Sequence, residues 1–413
     1  MIVPKAARIV IVGGGAVGCA IAWQLARLGA RDVLLLEKSG LTHGSTWHAA
    51  GLVGQYRSRA DLTRLMQSSV ALMDELQAET PMDWRQVGSL RIASSQARWL
   101  EYRAAEPIAR RYGLAFELLS PAQAKQRFPY LSLDGVVGAA FVKRDGYVDP
   151  ASLAQAFAAR ARSLGVSIAE DATVTDFERR GDRVEAVRVG EQRIKCETVV
   201  LATGMWARQV GRTLGLDLPV ATLVHQYAVT DKSAGVPLDL PTLRDPDLNF
   251  YLKPDSGGFA IGGWEANTVT AFKDDVPIAF GRELLPEDLD RLAPILEAAG
   301  RRLPIVEEMG LRQIISGPIP ITPDGEPILG PAPGFANLYL AVGFTAGIAA
   351  SGGAGRALAE WIVEGKPGFE LPTLDPRRFG QEVLELEALN ARAIAAYGRY
   401  YALNQPPPSE VQS

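Results

Sequence analysis

The pattern of apolar and polar segments is clearest in the first forty residues. The run RIVIV, at positions 8–12, is rich in β-branched residues and stops at glycines, which predicts a short buried strand. The segment AIAWQLARLG then predicts a helix, and the run DVLLLEK predicts a second strand that ends at Glu37. A strand, a glycine turn, a helix and a strand in this order indicate an α/β fold that begins with a nucleotide-binding unit.

The turn between the first strand and the helix has the sequence GGGAVG, which matches the pattern GxGxxG. Gly13 permits the tight turn, Gly15 lets a pyrophosphate approach the backbone, and Gly18 lets the helix pack close to the strand. We expect Val17, in the same turn, to contact the nucleotide as well. The N-terminus of the helix offers N–H groups and a partial positive charge to the pyrophosphate.

The acidic residue at the end of the second strand narrows the choice of nucleotide. Glu37, nineteen residues after Gly18, would accept hydrogen bonds from a ribose hydroxyl. A carboxylate at this position argues against a 2′-phosphate and hence against NADP. It does not separate NAD from FAD.

Composition excludes several other classes of function. The 413 residues are too many for one compact core and suggest two domains, and a formal net charge of −4 gives no basic surface for nucleic acid. Cys19 and Cys196 form no spaced ligand set, and with only three histidines we expect no structural metal site. The uncharged runs 9–26 and 327–355 contain glycines or prolines throughout, so we expect no membrane span.

The segment after Glu37 bears on the cofactor. An NAD-binding unit would continue through a further strand and helix, whereas this chain continues KSGLTHGSTWHAAGL, which is small and hydroxyl-rich. Such a segment is suited to lying along an extended cofactor. It contains His43 and His48, and His225 is the only other histidine of the chain.

The segment GSTWHAAG, at 44–51, resembles that of the D-amino-acid-oxidase-like flavoproteins, in the branch of the dimethylglycine and sarcosine dehydrogenases. The resemblance covers nearly the whole chain, because five further segments look like family landmarks in family order: GSLRIA (88–93), GYVDP (146–150), VVLATGMWAR (199–208), TPDGEPILG (322–330) and GFTAGIAASGGAGRALAEW (343–361). It implies that FAD is the cofactor and that His48 is bonded covalently to the flavin. A histidine that only lines the cofactor is the alternative, and His43 lies nearby.

The resemblance also implies which other residues contact FAD: Lys38, Ser45, Thr46, Ala49, Gly51, Leu52, Val174, Gly204, Trp206, Gly347 and Ile348. The amides around Gly347 and Ile348 would stabilise negative charge on the reduced flavin. We expect them in a glycine-rich loop that opens a helix from about Gly352 to Glu364. Gly317 stands where the monomeric sarcosine oxidases carry their flavin-linked cysteine, so a tether in this chain would have to come from histidine.

We expect a Rossmann-type FAD-binding domain of the α/β class, interleaved with an α+β substrate-binding domain built around an antiparallel sheet. Segments 1–82, 150–222 and 318–370 would form the FAD domain, and segments 83–149 and 223–317 the substrate domain. Residues 371–413 would form a helical connector and a tail, whose end PPPSEVQS has the composition of a disordered segment. The connector resembles the passage that leads into a folate-binding domain in larger family members, and we expect this chain to lack that domain.

The third histidine lies in the strand-like segment VATLVHQYAVT. Oxidation of an amine requires the amine to be unprotonated, and an imidazole is suited to accept the proton because its pKa lies near neutrality. The related dehydrogenases carry a similar HQY segment, which implies that His225 is catalytic together with a tyrosine from a neighbouring strand. Tyr251 matches that strand, and Tyr227 is the nearer alternative in sequence. A histidine with a purely structural role is the other interpretation.

These observations predict an FAD-dependent amine oxidoreductase. The expected reaction oxidises a secondary or tertiary N-methyl amino acid or amine to an iminium ion, by hydride transfer to flavin N5, and hydrolysis then yields the demethylated amine and formaldehyde. A deaminating amino-acid oxidase of the glycine-oxidase or D-amino-acid type, a catalytically silent flavin-binding assembly factor and an NAD-linked dehydrogenase are the alternatives.

The sequence leaves the partners of the reaction less well defined. A substrate carboxylate could be bound by Arg57, Arg59 or Arg312, and the sequence does not rank them. Electrons would pass to a carrier or to O2. We expect a cytoplasmic location, because a transit peptide has no room before Arg8.

Overall fold

The computed structural model describes residues 3–232 and 236–403. Its strands are β1 (Ala6–Val12), β2 (Val33–Leu36), β3 (Leu52–Val53), β4 (Trp84–Arg85), β5 (Ser89–Ala93), β6 (Phe116–Leu119), β7 (Gly138–Val142), β8 (Gly146–Val148), β9 (Ser167–Ala169), β10 (Val174–Arg180), β11 (Arg183–Val189), β12 (Gln192–Leu201), β13 (Ala221–Thr230), β14 (Thr242–Asp245), β15 (Phe250–Asp255), β16 (Gly258–Gly263), β17 (Leu311–Ile321), β18 (Ile328–Pro331) and β19 (Leu338–Val342). Its α-helices are α1 (Ala16–Arg27), α2 (Ala60–Glu79), α3 (Gln96–Arg111), α4 (Pro121–Arg127), α5 (Pro150–Ser163), α6 (Ala207–Thr213), α7 (Leu289–Arg302), α8 (Gly347–Glu364) and α9 (Leu386–Gly398). The segment PPPSEVQS lies outside the described residues.

The first sheet carries the nucleotide-binding unit that the sequence predicts. Its strand order is β10-β11-β12-β1-β2-β9, and β19 pairs with β12 and with β18. The pairs β1–β12, β1–β2, β2–β9 and β12–β19 are parallel. Side chains alternate along β1 between two cores, with Ile11 in one and Val10 in the other. Both faces of the sheet are therefore covered, as in doubly wound α/β folds.

The second sheet has the order β17-β13-β16-β15-β14-β5-β7-β6. Its pairs are antiparallel except β14–β5, which is parallel. Helix α7 packs against β15 and β16 through residues such as Leu292 and Ile295. Strands β13 and β17 run a few residues beyond the boundaries predicted at 222 and 318.

Helix α8 starts at Gly347, and the predicted start at about Gly352 is wrong. The glycines of this segment lie inside the helix because they allow close packing against α1 and α2. A Cβ on Gly353 would lie 2.1 Å from the carbonyl oxygen of Leu65, and one on Gly355 would lie 2.7 Å from the carbonyl carbon of Ala20. The glycine run is therefore a helix–helix contact and not a loop.

Helix α9, in the predicted connector, packs back onto the second sheet. It contacts β13, and its residues Leu389, Ala393 and Tyr397 share a buried cluster with Tyr251 and Trp264. This helix therefore contributes directly to the surroundings of the predicted catalytic residues. Within the described residues, no helix has the length and apolar character that crossing a bilayer requires.

Candidate functional site

A single cavity of about 820 Å³ brings together residues of both sheets. The predicted site residues line it, from Gly13 at one end to Tyr251 at the other, with the exception of Gly18. Gly18 instead supports the turn, since a Cβ there would lie 1.9 Å from the carbonyl oxygen of Gly13. The cavity has the size of a cofactor and substrate site.

The nucleotide end of the cavity is formed by the glycine turn and the start of α1. Gly13 adopts φ +113°, and a Cβ there would lie 2.3 Å from the carbonyl oxygen of Ala202, so the turn requires glycine. Helix α1 begins after Gly15 without a side-chain cap. Its first turn therefore presents backbone N–H groups and the positive end of the helix dipole, the features that bind a pyrophosphate.

Glu37 is buried beside this turn and lines the cavity. Its Oε2 accepts a hydrogen bond from the backbone N–H of Gly14 at 2.7 Å, and its Oε1 accepts one from the N–H of Ser39 at 3.0 Å. Burial raises the pKa of the carboxyl, and these two backbone donors act in the opposite direction. Oε1 also accepts from the Ser39 hydroxyl at 3.4 Å, whereas Oε2 retains a lone pair, which suits a ribose hydroxyl.

Several polar side chains in the predicted cofactor set hold the cavity wall in place. The Ser45 hydroxyl donates to the carbonyl of Pro318 at 2.7 Å, and the Thr46 hydroxyl oxygen accepts from the N–H of Ala16 at 3.1 Å. The Lys38 ammonium donates to the carbonyl of Phe280 at 2.7 Å and lies over the ring of Trp206. The Lys38 ammonium keeps two further N–H groups, and the Thr46 hydroxyl keeps its own proton, so both can still donate to a ligand.

His48 is the predicted site residue with the most unusual environment. It is only 5% exposed, and its Nε2 has no hydrogen-bond partner within the described residues. Burial lowers the pKa of the imidazole to about 4, so the ring is neutral at physiological pH. A buried polar atom without a partner is costly unless a ligand supplies one. His43 also lines the cavity, but its ring lies against Gly40.

Gly317, on β17, provides the space that the His48 ring occupies. A Cβ at Gly317 would lie 2.5 Å from both Cε1 and Nδ1 of that imidazole. A cysteine at Gly317 and the observed position of His48 are therefore mutually exclusive. The His48 ring can occupy this space only because residue 317 is a glycine and has no side chain.

The opposite wall of the cavity fits a flavin. Helix α8 begins at Gly347 with no side-chain cap, and Ile348 lies in its first turn. Its amides can therefore stabilise negative charge on a bound group. The buried hydroxyl of Thr203, which also lines the cavity, has no partner within the described residues. Uncapped helix ends and partnerless polar atoms together make the chain's own residues a good match to FAD.

His225, on β13, is held by two tyrosines. Its Nε2 lies 2.7 Å from the hydroxyl of Tyr251, and its Nδ1 lies 2.7 Å from the hydroxyl of Tyr397. The structure thus brings Tyr251, rather than the alternative Tyr227, to the ring of His225. Burial lowers the pKa of His225 to about 3, with smaller contributions from the like charges of His48 and Arg291. His225 is therefore a neutral imidazole that lines the cavity.

Tyr251 belongs to a row of cavity-lining side chains that crosses the second sheet. Strand pairing places Arg244 opposite Tyr251, and Arg91 opposite Arg244. On the other side of Tyr251, strand pairing places Gly262, where a Cβ would lie 2.4 Å from the Tyr251 hydroxyl. Glycine at this position therefore lets the tyrosine ring lean towards His225.

The two arginines of this row, Arg91 and Arg244, are not among the candidates for carboxylate binding that the sequence analysis proposed. Arg91 and Arg244 line the cavity, and among the described residues neither forms a salt bridge with a carboxylate, although the charge of Asp145 acts on both. Burial, together with the like charge of Arg91, lowers the pKa of Arg244. Like charges opposite each other in a sheet are destabilising, and the charge of the buried Asp145 carboxylate offsets part of this repulsion.

Of the arginines that the sequence proposed, only Arg57 lines the cavity. Its guanidinium donates to the carbonyls of Gly54 and Tyr56. Arg59 donates to the Thr373 hydroxyl, and Arg312 is an exposed residue paired with Asp255.

Sequence patterns did not single out Arg91, Arg244 or Tyr397. Arg91 lies in the landmark segment GSLRIA, which was the one available clue, whereas Arg244 lies in no quoted motif. Tyr397 lies on α9, which sequence reasoning placed in a connector. These three residues come together near His225 and Tyr251 only through strand pairing and helix packing between segments that are far apart in the chain.

The match to a family model decides the class of protein, because the model described as "FAD dependent oxidoreductase", DAO, matches residues 8–361. The chain belongs to this family. FAD is therefore its cofactor, and the predicted class of FAD-dependent oxidoreductase is confirmed. Covalent attachment and the roles of individual site residues stay predictions.

Curated relatives and a solved structure agree with this assignment. The chain is 36% identical to the mitochondrial dimethylglycine dehydrogenase of Rattus norvegicus, over 95% of this chain and 47% of that protein. It is 34% identical to the mitochondrial sarcosine dehydrogenase of Mus musculus, over 98% of this chain and 45% of that protein. The chain thus spans about half the length of these relatives.

The fold is similar to that of L-proline dehydrogenase from P. horikoshii. The TM-score is 0.82 at 25% identity, and the match covers 91% of this chain and 98% of that chain. This similarity confirms the predicted Rossmann-type α/β fold with its second, α+β unit.

Proposed function

We propose that this protein catalyses the FAD-dependent oxidation of a secondary or tertiary N-methyl amino acid. The product would be an iminium ion, which water hydrolyses to the demethylated amino acid and formaldehyde. The observation that carries the proposal is one row of side chains in the FAD cavity, with the Tyr251–His225 pair beside the arginines Arg244 and Arg91. The names of the relatives, dimethylglycine and sarcosine dehydrogenase, support the same class of substrate.

The His225–Tyr251 pair supplies the proton chemistry. An amine can lose a hydride from the adjacent carbon only when its nitrogen lone pair is free, so the ammonium form must first lose a proton. A neutral imidazole 2.7 Å from a tyrosine hydroxyl can accept that proton, directly or through the hydroxyl. Burial lowers the pKa of His225 to about 3, well below the near-neutral value expected of an ordinary imidazole, so the ring is unprotonated and available as an acceptor but is a weak base by itself. When bound, the flavin supplies the hydride acceptor.

The arginine pair supplies recognition of the other end of the substrate. The buried Arg244 and the half-buried Arg91, on adjacent strands, offer guanidinium donors that match a carboxylate. Their position next to Tyr251 would fix the carboxylate so that the substrate nitrogen faces His225. The distance between the two functional ends of the site is thus set by strand spacing, which rigid backbone pairing holds constant.

We propose that His48 attaches FAD covalently. Its partnerless, neutral Nε2, the space left by Gly317 and the segment GSTWHAAG support this role. Acid precipitation of the purified protein tests it. Yellow colour that stays in the pellet, and that is lost in His48→Ala, is the expected result. Colour that passes into the supernatant of the unmodified protein would instead leave His48 as a lining residue.

The reaction itself is tested by anaerobic mixing of the holoenzyme with a panel of amines. We expect sarcosine, dimethylglycine or another N-methyl amino acid to bleach the flavin, with release of one formaldehyde per flavin reduced. Release of ammonia from primary amino acids would replace the proposal by a deaminating oxidase. A flavin that none of these amines reduces would point to a silent flavin-binding protein. Reoxidation by O2 or by an added dye then separates an oxidase from a dehydrogenase.

A further inference from the structure

The hydrogen bonds of His225 continue away from the cavity into the protein. Tyr397, whose hydroxyl lies at Nδ1 of His225, donates to Oε2 of Glu265 at 2.8 Å. Arg291 donates to the other oxygen, Oε1, of the same carboxylate at 2.7 Å. The four side chains therefore form an unbroken relay from the cavity to a buried ion pair, in which the Arg291 and Glu265 side chains are 10% and 6% exposed.

Counting protons along this relay fixes the direction of each hydrogen bond. The carboxylate of Glu265, paired with Arg291, can only accept, so the single hydroxyl proton of Tyr397 points to Glu265. The oxygen of Tyr397 must then accept a proton from Nδ1–H of His225. A neutral imidazole carries one N–H, so Nε2 bears the lone pair and accepts from the hydroxyl of Tyr251.

We propose that Tyr397 and Glu265 are positioning residues that hold His225 as the Nδ1–H tautomer and take up its proton when Nε2 receives one. The inference rests on the proposed function only in giving the source of that proton, which is the substrate amine. It adds two residues that are not among the predicted site residues, one of them on helix α9.

The proton balance of the relay is closed. The amine proton moves to the Tyr251 oxygen while the Tyr251 hydroxyl proton moves to Nε2, and the Nδ1 proton moves to the Tyr397 oxygen while the Tyr397 hydroxyl proton moves to Glu265. One proton is thereby transferred from the amine to the carboxylate, and no electrons move. His225 ends as the neutral Nε2–H tautomer, so a charged imidazolium is never left in the buried site.

The surroundings of the relay support this assignment. Tyr251, Tyr397 and the ring of Trp264 pack around His225, and the positive charge of Arg291 acts on it. Burial also raises the pKa of Glu265, which favours the uptake of a proton. Arg291 lines a second cavity of about 510 Å³, beside which the proton would arrive.

The tautomer can be measured directly by 15N NMR of the histidine-labelled holoenzyme, because a ring nitrogen that carries a proton resonates far from one that does not. The chain has only three histidines, and His225→Gln identifies the resonances of His225. We expect Nδ1 to carry the proton in the unmodified protein. In Tyr397→Phe, which leaves the Glu265–Arg291 pair intact, we expect the Nε2–H form to appear, and likewise in Glu265→Gln.

The matched control is Tyr147→Phe. Tyr147 is a buried tyrosine whose hydroxyl donates to the carbonyl of Leu238 at 2.6 Å, away from His225. The Tyr147→Phe substitution removes a comparable hydroxyl, and we expect the tautomer of His225 to be unchanged in this variant. A proton on Nε2 in the unmodified protein, or a tautomer that Tyr397→Phe does not alter, would overturn the proposal.

The rate of flavin reduction tests whether the relay takes part in proton transfer, separately from the proposed reaction. We expect anaerobic flavin reduction by the best amine to slow about 10- to 100-fold in Tyr397→Phe, part of the usual contribution of a general base, and by less than about twofold in Tyr147→Phe. A changed tautomer with an unchanged reduction rate would overturn the role of the relay in proton transfer. If no amine reduces the unmodified enzyme, the proposed function fails while the tautomer measurement still decides the relay.

Discussion

His48 and His225 line the same cavity, and burial keeps both imidazoles neutral, with pKa values of about 4 and about 3. Their hydrogen bonding differs sharply. Nε2 of His48 has no partner within the described residues, whereas both ring nitrogens of His225 contact tyrosine hydroxyls. The first ring is left open for a ligand, and the second is oriented by the protein. Two histidines with the same charge state can thus be prepared for different tasks, attachment and proton transfer.

The largest effect on the flavin is expected from Gly317→Ala, which tests the proposed role of His48. The new methyl would lie 2.5 Å from the His48 ring, a distance that forces the imidazole to move. We therefore expect the proposed covalent attachment of the flavin to be lost completely, as judged by colour in the acid-precipitated pellet. Gly281→Ala is the matched control, because the nearest atom to its Cβ would be 3.9 Å away. A pellet that stays yellow in Gly317→Ala would break the assignment of His48.

The second effect concerns His225. Replacing it by Gln keeps a polar side chain but removes the base, so we expect flavin reduction to slow by about 10²- to 10³-fold, within the usual range for general-base catalysis. The pellet should remain yellow, because attachment depends on His48. Anaerobic stopped-flow absorbance gives the rate. If His225→Gln loses the pellet colour, or if its flavin is reduced at the normal rate, the two histidines do not have the separate roles proposed for them.

Sequence reasoning could predict the nucleotide end of the site because its determinants are local. The glycine turn, Glu37 and the segment around His48 are contiguous motifs, and each has a physical role that spacing alone reveals. The predicted start of α8 is wrong for a local reason as well. Glycines suggest a loop, but in Gly353 and Gly355 they serve close packing with helices that the sequence cannot place.

The substrate end could be predicted only in part. His225 and Tyr251 were proposed from resemblance, but their partners come from distant segments. Tyr397 follows His225 by 172 residues, and Arg244 meets Arg91 through a parallel strand pair. Such contacts follow from sheet order and helix packing, which a single sequence does not encode as a motif.

The third effect tests which histidine the substrate meets. Arg244 lies opposite Tyr251 in the sheet and therefore on the side of His225. We expect Arg244→Met to raise the Kd of an N-methyl amino acid about 10- to 100-fold, the value of one or two charge-assisted hydrogen bonds. A methylamine that lacks a carboxylate should bind with unchanged, weak affinity. Arg312→Met, at an exposed arginine, is the control and should change neither. Equal losses for both ligands would remove the arginine row from substrate recognition.

The smallest expected effect is that of pH on the rate of flavin reduction. The folded-state pKa of His225 is depressed to about 3, so its accepting form is fully present above pH 5 and is lost only in stronger acid. Between pH 8 and pH 6, flavin reduction compared at equal concentration of unprotonated amine should therefore change by less than about twofold. An imidazole with the ordinary pKa would be mostly protonated at pH 6, and the rate would fall about fourfold. A fall of that size, abolished in His225→Gln, would mean that ligand binding raises the pKa of His225. The ring would then carry a charge during turnover, and the contrast with His48 would lie in charge as well as in hydrogen bonding.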